Sequence, residues 1–197
     1  MTFEGLSSRC LTTGQNGGMV RALVFDPTGD DFATSWQRLD WQLLQKSNVH
    51  RYRDDEALET TCAGLAELGY LLHRLDASGW ADAAALHTAL ATALDFPDYY
   101  GRNLDALEDV LDDVAEYMYG SNSATTGTVL ALAGYDTFAE REPALAQHLL
   151  DGFARSARRG LLVGHPMLCL VTAERAFAEV GATPVIPALP PRQPSSE

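Results

Sequence analysis

Several things are scarce in this chain of 197 residues, and each scarcity excludes a class of protein. Three cysteines, Cys10, Cys62 and Cys169, lie far apart, with no CxxC and no histidine at ligand spacing, so neither a disulfide framework nor a structural zinc site is expected. No apolar run approaches the roughly 20 residues needed to span a bilayer. The polar, Gly/Ser/Thr-rich Met1–Gly18 lacks the apolar core of a signal peptide, so a cytoplasmic protein without membrane contact is expected. Basic residues are few: 14 Lys and Arg against 27 Asp and Glu, a formal net charge of −13. That balance argues against nucleic acid as a direct partner and suits a basic protein.

Catalytic and cofactor signatures are scarce too. The five histidines (50, 73, 87, 148 and 165) are dispersed, and no phosphate-binding loop, metal motif or nucleophile motif occurs. Gly14-Gln-Asn-Gly-Gly18 is Gly-rich but lacks the Lys-Ser/Thr that phosphate binding requires. No enzyme, cofactor or metal is therefore expected.

What is present is enough apolar sequence, 46% of residues, to bury a core. Met19–Phe25 reads as a short strand closed by the turn signal Asp26-Pro-Thr-Gly29. Residues 32–46 have no clear period. Asn48–Arg53 is a candidate short strand, and a helix follows from Asp54 to about Gly69. From Tyr70 the pattern is regular: strand 70–76, helix 81–94, loop 96–102, helix 103–118, polar linker 120–127, strand 128–132. A short helix over 135–142, a longer one from Pro143 to Arg159 closed by Gly160, and strand 167–172 complete it. Helices alternating with strands imply an α/β fold, a small three-stranded parallel sheet packed with helices. Residues 1–68 form an N-terminal extension of unknown role, able to add a strand and a helix to the sheet edge. Residues 69–175 form the main domain. A Pro-rich, flexible tail covers 176–197, and residues 184–197 hold more than half of the nine prolines.

The helix from Asn103 carries the functional signal. At 100° per residue, Leu104, Leu107, Leu111, Val114 and Met118 share one face. Asp105, Glu108, Asp109, Asp112, Asp113 and Glu116 share the other, with no cation on the helix. Like-charge pairs at i,i+4, such as Asp105–Asp109 and Asp109–Asp113, each destabilise a helix by a few tenths of a kcal/mol. Repulsion left in place points to a face kept for a cationic partner, set against the ordinary reading of a solvated surface. In the preceding loop, Tyr99 and Tyr100 provide contact area and hydroxyls. One of the two rings is expected in the core, and Gly101 allows a turn or a close approach.

Pro97-Asp-Tyr-Tyr-Gly-Arg-Asn-Leu-Asp-Ala-Leu-Glu-Asp109 closely resembles the signature of the barstar family, small cytoplasmic α/β inhibitors of secreted, barnase-like ribonucleases. The resemblance spans about Gly69 to Ala173. It implies an immunity-type inhibitor bound 1:1 to a basic, extracellular-type ribonuclease. It further implies that Asp109 mimics the scissile phosphate, that Asp105 is the second carboxylate, and that Tyr99, Gly101, Asn103 and Leu104 seal the cleft mouth. Tyr100, Glu108, Asp112 and Asp113 complete the expected partner-binding set. Glu108 and Val114 stand where the family has aromatic contacts. Arg155, Arg158 and Arg159 stand where acids are often presented, which bears on partner choice. The alternative is a barstar-like module that binds another basic protein without inhibiting a ribonuclease.

Overall fold

The computed structural model describes residues 24–174. Of the strand expected at 19–25, only Val24 and Phe25 fall within that range, and both lie in a turn. Cys10, the Gly14–Gly18 run and the Pro-rich tail lie outside the described residues. The chain divides into two units between Ser35 and Trp36. In the first, the turn at 26–29 forms as expected: Asp26 accepts from both the backbone and the hydroxyl of Thr28, at 2.8 and 2.7 Å.

The second unit holds a parallel sheet of four strands, where three were expected: β1 (Val49–Tyr52), β2 (Leu71–Asp76), β3 (Thr128–Ala133) and β4 (Met167–Thr172). Their order is β1-β4-β3-β2. The fourth strand comes from the extension, in the run flagged at 48–53. It has only four residues, half of them His50 and Arg51, so neither alternation nor a continuous apolar run announces it. Long-range hydrogen bonds hold it instead. Cys169 N–H donates to Asn48 O (2.8 Å), and Ala173 N–H to Tyr52 O (2.9 Å). The side chains of Asn48 and Arg51 donate to Met167 O and Ala173 O, each at 2.9 Å.

Six helices cover both faces: α1 (Leu39–Leu44), α2 (Asp55–Glu67), α3 (Ala83–Ala93), α4 (Leu104–Ala115), α5 (Tyr135–Arg141) and α6 (Pro143–Leu162). Alternation along β3 explains two cores. Val129 and Ala131 pack on Leu43, Leu58, Cys62 and Leu65 of α1 and α2. Leu130 and Leu132 pack on the α3–α6 side with Leu107, Leu111, Leu149 and Phe153. The β1-to-β2 crossover passes over one face, and the returning β2-β3-β4 crossovers pass over the other, as right-handed connections require. Strands buried on both faces read as the unbroken apolar runs seen at 129–133 and 167–171.

Local chemistry sets the boundaries. Asp54, Asp82 and Asn103 cap α2, α3 and α4 by accepting from the N–H three residues on, at 2.8 to 2.9 Å. The α4 helix stops at Ala115, three residues early, because Tyr117 takes a left-handed backbone (φ 68°). The α6 helix runs through Gly160 to Leu162 instead of stopping. A glycine interrupts a helix weakly when packing compensates, and a Cβ at Gly160 would lie 2.7 Å from His165 O. Asp40, fully buried, accepts from Arg38 (2.7 Å) and from the Tyr70 hydroxyl (3.1 Å), tying α1 to the start of β2. Cys62 and Cys169 are buried free thiols, and burial pushes Cys62 up to about 11.

Residues of the extension therefore supply one whole cover of the sheet. Leu65 of α2 is fully buried in that cover. Leu65→Ala is expected to lower the unfolding free energy by about 2–5 kcal/mol, read from the urea midpoint at unchanged slope. A loss under about 0.5 kcal/mol would mean that α2 rests loosely on the sheet.

Candidate functional site

The loop between α3 and α4 is placed by two contacts. Gly120, with φ 51°, crosses the end of α3, where a Cβ would lie 2.8 Å from Leu94 O. Residues 95–103 thus run back beside α4 from its C-terminal end to its cap at Asn103. The paired tyrosines divide as expected. Tyr100 is 8% exposed, packs on Phe96 (5.0 Å between ring centres) and shares a 2.5 Å hydrogen bond with buried His87. Tyr99 is 76% exposed, and its hydroxyl meets that of Tyr119 at 2.6 Å. Left-handed backbone falls on Arg102 (φ 48°) and not on Gly101. Gly101 serves by its small size: a Cβ there would sit 3.3 Å from the Asn103 side chain and 3.4 Å from Ala106.

On α4, Leu107, Val110, Leu111, Val114 and Ala115 are buried, and Leu104 packs partly buried against the same core. Met118, expected in that stripe, is exposed because the helix has already ended. The six carboxylates fall into two rows. Glu108, Asp112 and Glu116 form an inner row facing α6, which runs alongside in the same direction. Glu108 pairs with Arg155 (2.6 Å) and His148 (3.0 Å). Asp112 accepts from the Ser156 hydroxyl (2.6 Å) and pairs with Arg159 (3.2 Å), which also holds Glu116 at 2.7 Å through its Nε. Small residues allow this approach. Gly152, Ser156 and Gly160 line up at i+4 spacing on α6, all buried, with Leu111 and Ala115 of α4 against the two glycines.

The outer row is Asp105, Asp109 and Asp113. Asp105 and Asp109 are exposed and Asp113 is half-buried. Among the described residues, none of the three is in an ion pair. The two rows behave differently as acids. The Arg155 hydrogen bond, with help from His148, holds the Glu108 carboxyl below the usual range. Asp113 is pushed up, first by burial and then by the like charges of Glu116, Asp109 and Asp112. Half-exposed ion pairs contribute about 0.2–1 kcal/mol each. Like-charge i,i+4 pairs on a helix oppose by similar amounts. The inner ladder therefore offsets the repulsion within α4 without adding much stability.

Tyr119, His148 and Ser156 were not singled out from sequence; the i+4 spacing of Arg155 and Arg159 was the available signal for the ladder. Among the described residues, no group of three or more His, Cys, Asp or Glu could hold a metal ion. No helix of those residues is long and apolar enough to cross a membrane.

A parallel sheet clad on both faces, with a capped acidic helix beside an exposed tyrosine loop, defines an α/β protein. The family model described as Barstar (barnase inhibitor) matches residues 70–172, and the chain belongs to the barstar family. YrdF of Bacillus subtilis (strain 168), provisionally named a ribonuclease inhibitor, is 54% identical over 37 residues. That match covers 19% of this chain and 41% of the relative, so the chain spans about two fifths of the curated protein it matches. Among solved structures, the Aeropyrum pernix ORC2 protein (ADPNP-ADP complexes) superimposes with a TM-score of 0.47 at 14% identity, covering 76% of this chain and 44% of that one. A likeness at that level carries no argument.

The Tyr100–His87 contact holds the loop that displays Tyr99. Burial, then the charge of Arg102, keeps His87 below its ordinary value of 6.5. The folded state thus binds fewer protons than the unfolded one below about pH 6.5, and stability falls as pH drops through that range. The thermal midpoint is expected to decline between about pH 7 and 5, and His87→Gln should flatten part of that decline. His50, which burial lowers to about 4, contributes to the same decline. An identical decline in the variant would remove His87 from the account.

Proposed function

We propose that this protein inhibits a basic, extracellular-type ribonuclease by placing the outer carboxylate row of α4 in the enzyme's phosphate-binding cleft, one inhibitor to one enzyme. The observation that carries the reading is Asp109, exposed at the middle of a row of carboxylates that is in no ion pair among the described residues, on a helix fixed at its cap and along its inner edge. A carboxylate held in that way is a charge-assisted acceptor for the cations that bind a scissile phosphate. Asp105 is the second acceptor. Tyr99 and Gly101, exposed beside the row, and the Asn103 cap with Leu104 close the mouth of the cleft. Tyr100 works from below, by holding the loop. Glu108 and Asp112 contribute through α6, and Asp113 extends the row.

Family membership supports this reading, and so does the partial match to a relative named as a ribonuclease inhibitor. All the residues given a contact role lie within 69–175. The −13 charge favours encounter with a cationic enzyme. An inhibitor of a secreted nuclease acts where the producing cell needs protection, which places it in the cytoplasm as an immunity protein.

The test is RNA cleavage by basic microbial ribonucleases with increasing amounts of this chain. Stoichiometric inhibition is expected. Asp109→Ala should weaken it roughly 10- to 100-fold, the size expected for loss of a hydrogen bond between charged groups. Undiminished inhibition by Asp109→Ala would displace the proposed contact. Tight binding to a basic protein without loss of nuclease activity would instead favour a binding module of another kind.

A further inference from the structure

We propose that Arg155 and Arg159 of α6 are the specificity-determining residues of this docking face: they hold Glu108, Asp112 and Glu116 in a ladder of ion pairs, leave Asp105, Asp109 and Asp113 as the carboxylates without an ion pair among the described residues, and fit the face to a basic ribonuclease whose rim opposite α6 is neutral. The inference rests on the ribonuclease-binding reading and adds the chemistry of the partner's rim.

Three observations carry it. The ladder is continuous, with contacts of 2.6, 3.2 and 2.7 Å at three successive turns of α4. Its Glu108 and Asp112 directly precede Asp109 and Asp113 of the outer row, about 100° away around the helix. The guanidinium side chains stay 50% and 54% exposed while pairing inward. A partner that engages Asp109 therefore also meets, along α6, two guanidinium groups whose charge is balanced by the inner row. The face is divided in sign: a tyrosine rail at Tyr99 and Tyr119, a negative row, then a neutralised row edged by arginine. A basic rim would find little attraction along that balanced edge, so a partner gains there only if its rim is matched to it. Arg makes this possible where Lys would serve poorly, because its planar fork can hold Asp112 and Glu116 at once.

The experiment uses the full chain and one basic microbial ribonuclease, with dissociation constants and association rates measured across a salt series. Asp113→Asn is expected to weaken binding at least roughly 10-fold and to shallow the dependence of association on salt. Glu116→Gln is expected to change affinity less than about 3-fold while lowering the thermal midpoint. Arg159→Gln, which releases Asp112 and Glu116 to the surface, should speed association severalfold. Equal losses for Glu116→Gln and Asp113→Asn would overturn the proposal, and so would slower association of Arg159→Gln. If the unaltered chain binds no ribonuclease, the proposed function fails by itself. The ladder is then judged in the free chain by carbon NMR of the side-chain carboxyls during acid titration. Arg155→Gln should raise the Glu108 midpoint and leave Asp105 in place, and an unmoved Glu108 would overturn it.

Discussion

The lateral contact between α4 and α6 is the constraint on which the candidate site depends. A helix with five carboxylates, a sixth at its C-cap and no cation is opposed by its own charges along its outer face. Two arginines, a serine and a histidine on the neighbouring helix hold three of those carboxylates in ion pairs and hydrogen bonds. Buried glycines at 152 and 160 let the backbones come close enough for that to happen. What remains without an ion pair among the described residues is a single row at i+4 spacing, held by packing on one side and by the Asn103 cap at its start.

The opposite face of the sheet is completed by residues that precede the family match. Leu43, Tyr52, Leu58, Cys62 and Leu65 form half of a core whose other half is Tyr70, Val129, Ala131, Leu168 and Leu170. The sheet's two central strands are apolar on both faces, so a chain beginning at residue 70 would leave one of those faces wet. Residues 36–68 are structural partners of the family-matched part of the fold, and the fully buried Asp40 beside Tyr70 joins the two parts by hydrogen bonds as well.

Much of this was legible in the sequence, for identifiable reasons. The runs at 128–132 and 167–172 could be read as central strands because burial on both faces erases alternation. Asn103 could be read as a cap because its side chain is the right length to accept from Ala106 N–H. The division of Tyr99 and Tyr100 between solvent and core was also foreseeable. What could not be read shares one property: it depends on residues distant in the chain. The run at 48–53 could be flagged as a candidate strand, but its pairing could not be read, because β1 is placed by backbone partners in β4, at the far end of the described chain. The left-handed turn at Tyr117, which ends α4 early, accompanies stacking on His165 (4.0 Å between rings), far along the sequence. Most tellingly, a helical wheel of α4 shows one acidic face, and only the position of Arg155 and Arg159 divides it into two.

Competition with substrate is the most direct measure of whether this face closes an active site. Initial rates of RNA cleavage by a basic ribonuclease, taken over a range of RNA concentrations at several fixed amounts of this protein, should show a rising apparent KM with unchanged kcat. A lowered kcat with unchanged KM would place the contact away from the phosphate-binding cleft and contradict the role assigned to Asp109 and its neighbours.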